Sequence, residues 1–214
     1  MYKIILIGPP GAGKGTQANL LVKSLNLAQI STGDILRKSV CAKDILGVKA
    51  NEYMQKGQLV PDDLVINIVA DYLKKCSSKN GFLLDGFPRN INQAQALDNM
   101  NILISHIISI DVEDSVIVKR MTGRRVHVES GRVYHVDYNP PKVDGVDDIT
   151  NQPLVQRKDD LAEIVKDRLK LYHDITKPLL NYYRENAAKG VYKFISVDGA
   201  ADIDQVHNKL KLTL

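Results

Sequence analysis

Cysteine is scarce: only Cys41 and Cys76 occur among 214 residues, and they form no CxxC pair. That argues against a disulfide framework or a cysteine zinc site, and for two reduced structural thiols in a cytoplasmic protein. Long apolar runs are missing too. No stretch approaches the roughly 18 apolar residues of a membrane helix. The first run, Ile4 to Ile7, is too short for the core of a signal peptide. Neither sign of charge dominates. Lys plus Arg is 29 and Asp plus Glu is 25, so the net charge is +4, which makes no case for nucleic acid. No internal repeat or low-complexity tract is present. The length suits one large domain, or one domain with insertions.

What the chain does have begins at Lys3. Lys3 to Ile7 is a short apolar, β-branched run that predicts a strand. Gly8 to Gly13 follow, with three glycines and two prolines in six positions. Lys14, Gly15 and Thr16 then open a stretch with helical spacing at Ala18, Leu21, Val22 and Leu25. Strand, glycine loop, lysine and helix together form a polyphosphate cradle. A loop without Cβ atoms turns backbone N–H groups around an anion, and the helix N-terminus adds unpaired N–H groups and a favourable dipole. Lys14 brings a mobile positive charge. The hydroxyl residue usual directly after the lysine is replaced by Gly15, with Thr16 one place later, which puts a direct magnesium ligand from this loop in doubt.

Further along, Ala28 to Ile30 is a brief strand candidate, and Ser31 or Thr32 could cap the helix that starts at Ile35 and Leu36. A second short helix is expected over about Asp44 to Gln55, ending near Gly57. Pro61 starts a third, with Asp62 and Asp63 in its first turn and a stripe at Leu64, Ile68, Val69 and Leu73. Residues 31–60 thus form a small helical insertion. Phe82 to Leu84 reads as a buried strand that ends in Asp85 and breaks at Gly86 and Pro88. In open α/β sheets ligands bind beyond the carboxyl ends of strands, where a carboxylate organises magnesium or its waters. Read alone, Asp85 could equally cap the next turn, and Arg89 could be a solvated charge. Ser105 to Asp111 is a strand and Glu113 to Met121 a helix. Residues 123–160 alternate as short antiparallel strands, Arg125 to Val128 and Arg132 to Val136, in a second insertion. A long helical pattern runs from Leu161, is interrupted by Pro178 and continues to Ala188. Val191 to Val197 is the last strand and Ile203 to Leu212 the last helix. Strands alternating with helices predict a mostly parallel sheet covered on both faces.

Six arginines, Arg37, Arg89, Arg120, Arg124, Arg157 and Arg168, sit near element ends or insertion boundaries. Any one could be a solvated charge. Around a phosphate-binding core, six planar forks match two polyphosphate ligands held end to end. A closing lid would strengthen that attraction by excluding water.

The stretches GPPGAGKGTQ at 8–17, STGDILR at 31–37, GFLLDGFPRN at 81–90, GRRVH at 123–127, GRVYH at 131–135 and RKDD at 157–160 resemble adenylate kinase, of the bacterial long-lid type. The resemblance spans nearly the whole chain. It implies a P-loop NTPase-like α/β fold with a five-stranded parallel sheet flanked by helices. The core would comprise 1–30, 61–122 and 161–214, with an AMP-binding insertion at 31–60 and an ATP lid at 123–160. By position, Gly11, Ala12, Gly13, Lys14, Gly15 and Thr16 would wrap the ATP phosphates. Arg120 and His135 would flank the adenine, with Arg124, Val133 and Tyr134 lining its site and Ala201 offering a backbone contact where a lysine is common. Thr32, Arg37, Gln58, Leu59, Val60, Gly86, Phe87, Pro88, Arg89 and Gln93 would hold AMP, and Arg157 and Arg168 would bridge the phosphate chains. Asp85 would orient the water shell of Mg2+ without direct ligation. Many relatives hold the lid with four cysteines on zinc. Here the matching places are His127, Ser130, Asp147 and Thr150, so no structural zinc is expected.

The implied reaction is MgATP plus AMP giving two ADP, reversibly, with catalytic roles for Lys14, Asp85, Arg89, Arg124, Arg157 and Arg168. The acceptor phosphate, with a second pKa near ~6, needs no general base. ATP, AMP and ADP are the expected partners of a cytoplasmic monomer, without nucleic acid or membrane. A UMP/CMP kinase is the nearest alternative, though pyrimidine-specific relatives tend to carry alanine at the Thr32 position and a short lid. A P-loop switch module is the alternative of another class. Gly123, at a lid boundary, is expected to absorb a hinge rotation.

Overall fold

The computed structural model describes residues 1–76 and 78–214. The chain opens with β1 (Tyr2–Ile7), α1 (Lys14–Leu25), β2 (Ala28–Ser31), α2 (Thr32–Ala42), α3 (Ile45–Gln55) and α4 (Asp62–Lys75). Then come β3 (Gly81–Asp85), α5 (Ile91–Asn99), β4 (His106–Asp111) and α6 (Asp114–Thr122). A short antiparallel pair, β5 (Arg124–Val126) and β6 (Val133–His135), leads to a 3₁₀ turn at Lys158–Asp160. The chain closes with α7 (Ala162–Leu171), a π turn at Tyr172–Thr176, α8 (Pro178–Ala188), β7 (Lys193–Asp198) and α9 (Ile203–Thr213).

The main sheet has the order β2-β3-β1-β4-β7, and every pair in it is parallel. This is the expected α/β architecture. Its central strand is apolar on both sides because both faces are covered. Ile5 and Ile7 pack with Leu84, Ile107 and side chains of α2, α4, α5 and α8. Ile4 and Leu6 pack with Leu83, Ile108 and side chains of α1, α6, α7 and α9. The parallel register puts the carboxyl ends of β1 and β3 side by side, with Leu6 opposite Asp85. The glycine loop after β1 and the loop after β3 therefore open onto the same edge.

Most element boundaries follow the sequence pattern. Ser31 is the cap of α2, accepting from the Asp34 N–H at 3.4 Å. One helix, α5, lies in a stretch where no element was expected. Asn90 caps it by accepting from the Gln93 N–H at 2.8 Å, and Ala94 and Leu97 are its buried stripe. The break expected at Pro178 takes a specific form. Proline has no N–H, and its ring excludes the carbonyl four residues back. The chain opens into a π turn closed by Lys177 N–H to the Tyr172 carbonyl at 2.7 Å, and Pro178 then starts α8.

Gly123 has an ordinary helical backbone, φ −82° and ψ −7°. Its lack of a side chain has a packing reason: a Cβ there would lie 2.4 Å from His135 Nε2. Among the described residues no helix is long and apolar enough to cross a membrane.

Candidate active site

Gly13, at φ 91°, sits in the left-handed region that favours glycine, and it is the residue from which α1 starts. No side chain caps this helix end, so its first N–H groups are available to an anion. The Ala12 methyl is packed into the core, and its N–H turns back to the Pro9 carbonyl at 3.2 Å. Lys14 folds over the loop. Its Nζ donates to the carbonyls of Gly8 at 2.8 Å and Pro9 at 2.7 Å. Burial pulls the Lys14 ammonium down to about 7. Asp85 opposes that shift, and Arg89, Arg168 and Arg124 add to it. Those five residues therefore share one electrostatic environment.

Asp85 ends β3 beside the loop, and its carboxyl is pushed up from the usual carboxylate range by burial, with Lys14 pulling the other way. Gly15 lies beside this carboxylate: a Cβ at that position would stand 3.7 Å from Asp85 Oδ2, an ordinary van der Waals distance. Among the described residues no group of three or more His, Cys, Asp or Glu is arranged to hold a metal ion. A single carboxylate does fit a cation whose other ligands are phosphates and water.

Two clefts adjoin at this edge. One is lined by Thr32, Arg37, Gln58, Leu59, Val60, Gly86, Arg89, Gln93 and Arg168, all expected AMP residues. Gly33, Leu36, Met54, Gly57, Val65 and Asp159 complete its wall. The other is lined by Lys14, Gly8, Pro10 and Pro88, together with Tyr172 and Thr176. Arg89, Arg168, Gly86, Gly57 and Leu59 belong to both. Phe87 is placed differently from expectation: its ring is fully buried in the core, so only its backbone can face a ligand. Its peptide to Pro88 is cis. Gln93 is held at both ends, accepting from the Arg89 N–H at 2.8 Å and donating to Asp62 at 2.7 Å. Thr32 donates its hydroxyl to the Gly86 carbonyl at 3.0 Å.

The arginines come with acids that sequence spacing did not single out. Arg37 pairs with Asp34 at 2.5 Å, one helical turn away, and Arg168 pairs with Asp159 at 2.5 Å. Arg124 makes a two-pronged contact with the fully buried Asp160. Arg157 borders none of the walls above, but it lies near Arg37 and Arg124. Burial and those two cations lower it to about 10. Arg120 donates to the carbonyls of Gly199 at 2.7 Å and Ala200 at 3.2 Å, and the exposed Ala201 follows directly in the chain.

A family model described as adenylate kinase matches residues 6–188 of this chain. The chain belongs to the adenylate kinase family. It is accordingly a phosphotransferase that moves a phosphoryl group between ATP and AMP.

In this family member the segment between β5 and the 3₁₀ turn is organised around a buried acid. Asp147 accepts from Arg132 Nε at 2.7 Å and Nη2 at 2.6 Å, from Tyr134 Oη at 3.0 Å and from the Thr150 hydroxyl at 2.8 Å. His127 meets the Ser130 hydroxyl at 2.7 Å, the Gln152 amide oxygen at 2.5 Å and the Thr150 hydroxyl at 3.3 Å. The four places that hold cysteines in zinc-binding relatives here bond to one another. Arg132 and Gln152, which sequence spacing did not identify, complete the set. Two residues expected at the adenine take part in this packing. Tyr134 is buried with its hydroxyl on Asp147, and the buried His135 ring accepts the N–H groups of Asp137 at 2.9 Å and Tyr138 at 3.1 Å. Val133 remains exposed.

Arg132 holds the Asp147 carboxyl far below the usual carboxylate range. A depressed folded-state pKa contributes stability that is present above the unfolded value of about 3.9 and lost only as pH falls below it. Amides of the segment between β5 and the 3₁₀ turn should therefore keep their hydrogen-exchange protection down to about pH 4 and lose it below. Asp147→Asn should lower that protection at neutral pH and flatten the acid transition. Unchanged protection in the variant would show that the pair does not hold this segment.

Proposed function

We propose that this chain uses MgATP as donor and AMP, in preference to UMP, CMP or GMP, as acceptor, and that it runs reversibly to two ADP. The observation that carries the reading is the meeting of two clefts at Arg89 and Arg168, with Lys14 on one side and Thr32 and Arg37 on the other. A switch module needs one nucleotide site, and the second cleft supports a second ligand.

In this reading Gly11 to Thr16 hold the ATP phosphates through backbone N–H groups, and Lys14 leaves the Gly8 and Pro9 carbonyls to follow the transferred group. The nearby Ala201 backbone and the exposed Val133 face the ATP base. Arg37 and Arg89 take the AMP phosphate, while Arg168, Arg124 and Arg157 span both chains. Thr32 keeps oxygen lone pairs free after donating to Gly86, which suits an acceptor for the amino group of adenine. Mg2+ bound with ATP would supply charge neutralisation on its phosphates, and Asp85 is the residue that would hold it, through water. The AMP phosphate is already ionised, so the residues align and neutralise and none abstracts a proton. Segment 31–60 serves as the AMP-binding insertion and 123–160 as the ATP lid. Their approach is supported by contact between α3 and the 3₁₀ turn. The protein acts as a cytoplasmic monomer on free nucleotides, with no structural zinc.

Initial rates with AMP, UMP, CMP and GMP test the specificity. AMP should exceed the others by at least about 10²-fold in kcat/KM, and a higher value for any other base overturns the reading. Asp85→Asn tests the magnesium role. The magnesium concentration giving half-maximal rate should rise several-fold, and an unchanged titration curve removes Asp85 from the cation shell.

A further inference from the structure

The π turn between α7 and α8 ends on a buried hydroxyl. Thr176 Oγ1 donates to the Arg89 carbonyl at 2.8 Å, across 87 residues of sequence. A threonine within helical backbone ordinarily returns its hydroxyl to its own helix. Here the widened turn that Pro178 imposes aims it at the neighbouring loop. Thr176 also lines the cleft that contains both Lys14 and Arg89.

We infer that Thr176 is a positioning residue, which sets Arg89 for the acceptor phosphate. This rests on the reading of Arg89 as a phosphate ligand. Arg89 is tied at three points: its N–H to Gln93 at 2.8 Å, its Nε to the Gly86 carbonyl at 2.8 Å, and its own carbonyl to Thr176. The first two ties come from the arginine's own loop and the helix that follows it. Only the third reaches a different part of the fold, the rod that carries Arg168. Burial works against the charge of both Arg89 and Arg168, and the Arg168 cation lowers Arg89 further. Their spacing must be fixed by a contact that withstands the repulsion between them. The Thr176 bond does this, because α7 presents Arg168 and the turn that follows it grips Arg89. A phosphate shared between the two forks then meets a preset gap.

The test is steady-state kinetics of the full chain with AMP and ATP varied separately. Thr176→Val keeps the shape and deletes the donor, and Thr176→Ala relaxes the packing as well. Each should lower kcat/KM for AMP by about 10-fold while KM for ATP stays within about 2-fold, and Thr176→Ser should restore AMP kinetics. Arg89→Lys serves as the reference and should lose at least about 10²-fold in kcat/KM for AMP. If either hydroxyl-free variant folds with wild-type AMP kinetics while Arg89→Lys is impaired, the positioning role is overturned and the site reading stands. If Arg89→Lys is also unimpaired, the assignment of Arg89 itself falls, and the inference with it. Equal losses for AMP and ATP, or no rescue by serine, would mark Thr176 as structural and overturn the proposal.

Discussion

Lys14→Met lowers kcat by about 10³-fold while the chain keeps its fold, as read by single-turnover kinetics and circular dichroism. The methionine keeps the length and loses the charge, and one preorganised group aimed at developing phosphate charge is worth about 10²–10³ in rate. A loss of less than about 10-fold would mean that Lys14 only binds ATP and does not follow the transferred group. The same residue gives a pH signature. Its folded-state value is lowered to about 7, against 10.5 in an exposed lysine. Between those two values the unfolded chain holds a proton that the folded one has shed, so this site favours the fold more strongly as pH rises from 7 toward 10.5. Polyphosphate reverses the balance by recharging Lys14. ATP binding should therefore take up protons, and ATP affinity should weaken as pH climbs above about 7. Calorimetry in buffers of different ionisation enthalpy measures the uptake directly, and Lys14→Met should abolish it.

Arg168→Met is the second large effect, about 10³-fold in kcat, on the scale of a charge-stabilising arginine at a transferring phosphoryl group. Arg168 lies in the walls of both clefts, and its partner Asp159 is an exchangeable anion. Arg168→Lys should recover little, since a point charge does not reproduce the planar fork. Near-normal rates in Arg168→Lys would reduce its role to general electrostatic attraction.

The parts of this site that sequence makes legible share one property: their chemistry is carried by neighbours in the chain. Gly8 to Thr16 announce a phosphate loop because glycine spacing, strand and helix are contiguous, and Asp85 to Arg89 announce a strand end because the break follows directly. The pairing of Arg124 with Asp160 is invisible at that level, since the two stand 36 positions apart and only the folded chain brings them together. The apolar wall of Leu36, Met54 and Val65 reads as ordinary helix stripe, which it also is. Helix α5 is short and half polar, with a stripe too thin to stand out, and its existence depends on the Asn90 cap and on packing against the sheet. Pro178 signals an interruption but not its form. The π turn follows from the proline, but the target of its Thr176 hydroxyl lies 87 positions away.

The acids beside the arginines carry a last consequence. Arg37, Arg124 and Arg168 each have a carboxylate from the chain itself. A phosphate that takes one of these forks does so by substitution, one anion for another, so little net charge is gained at any single fork. A small inorganic anion gains almost nothing from such a trade and is poorly retained. A nucleotide reaches several forks in succession, and after the first exchange the later ones are intramolecular. Such forks favour a ligand that reaches several of them at once over loose ions that reach one.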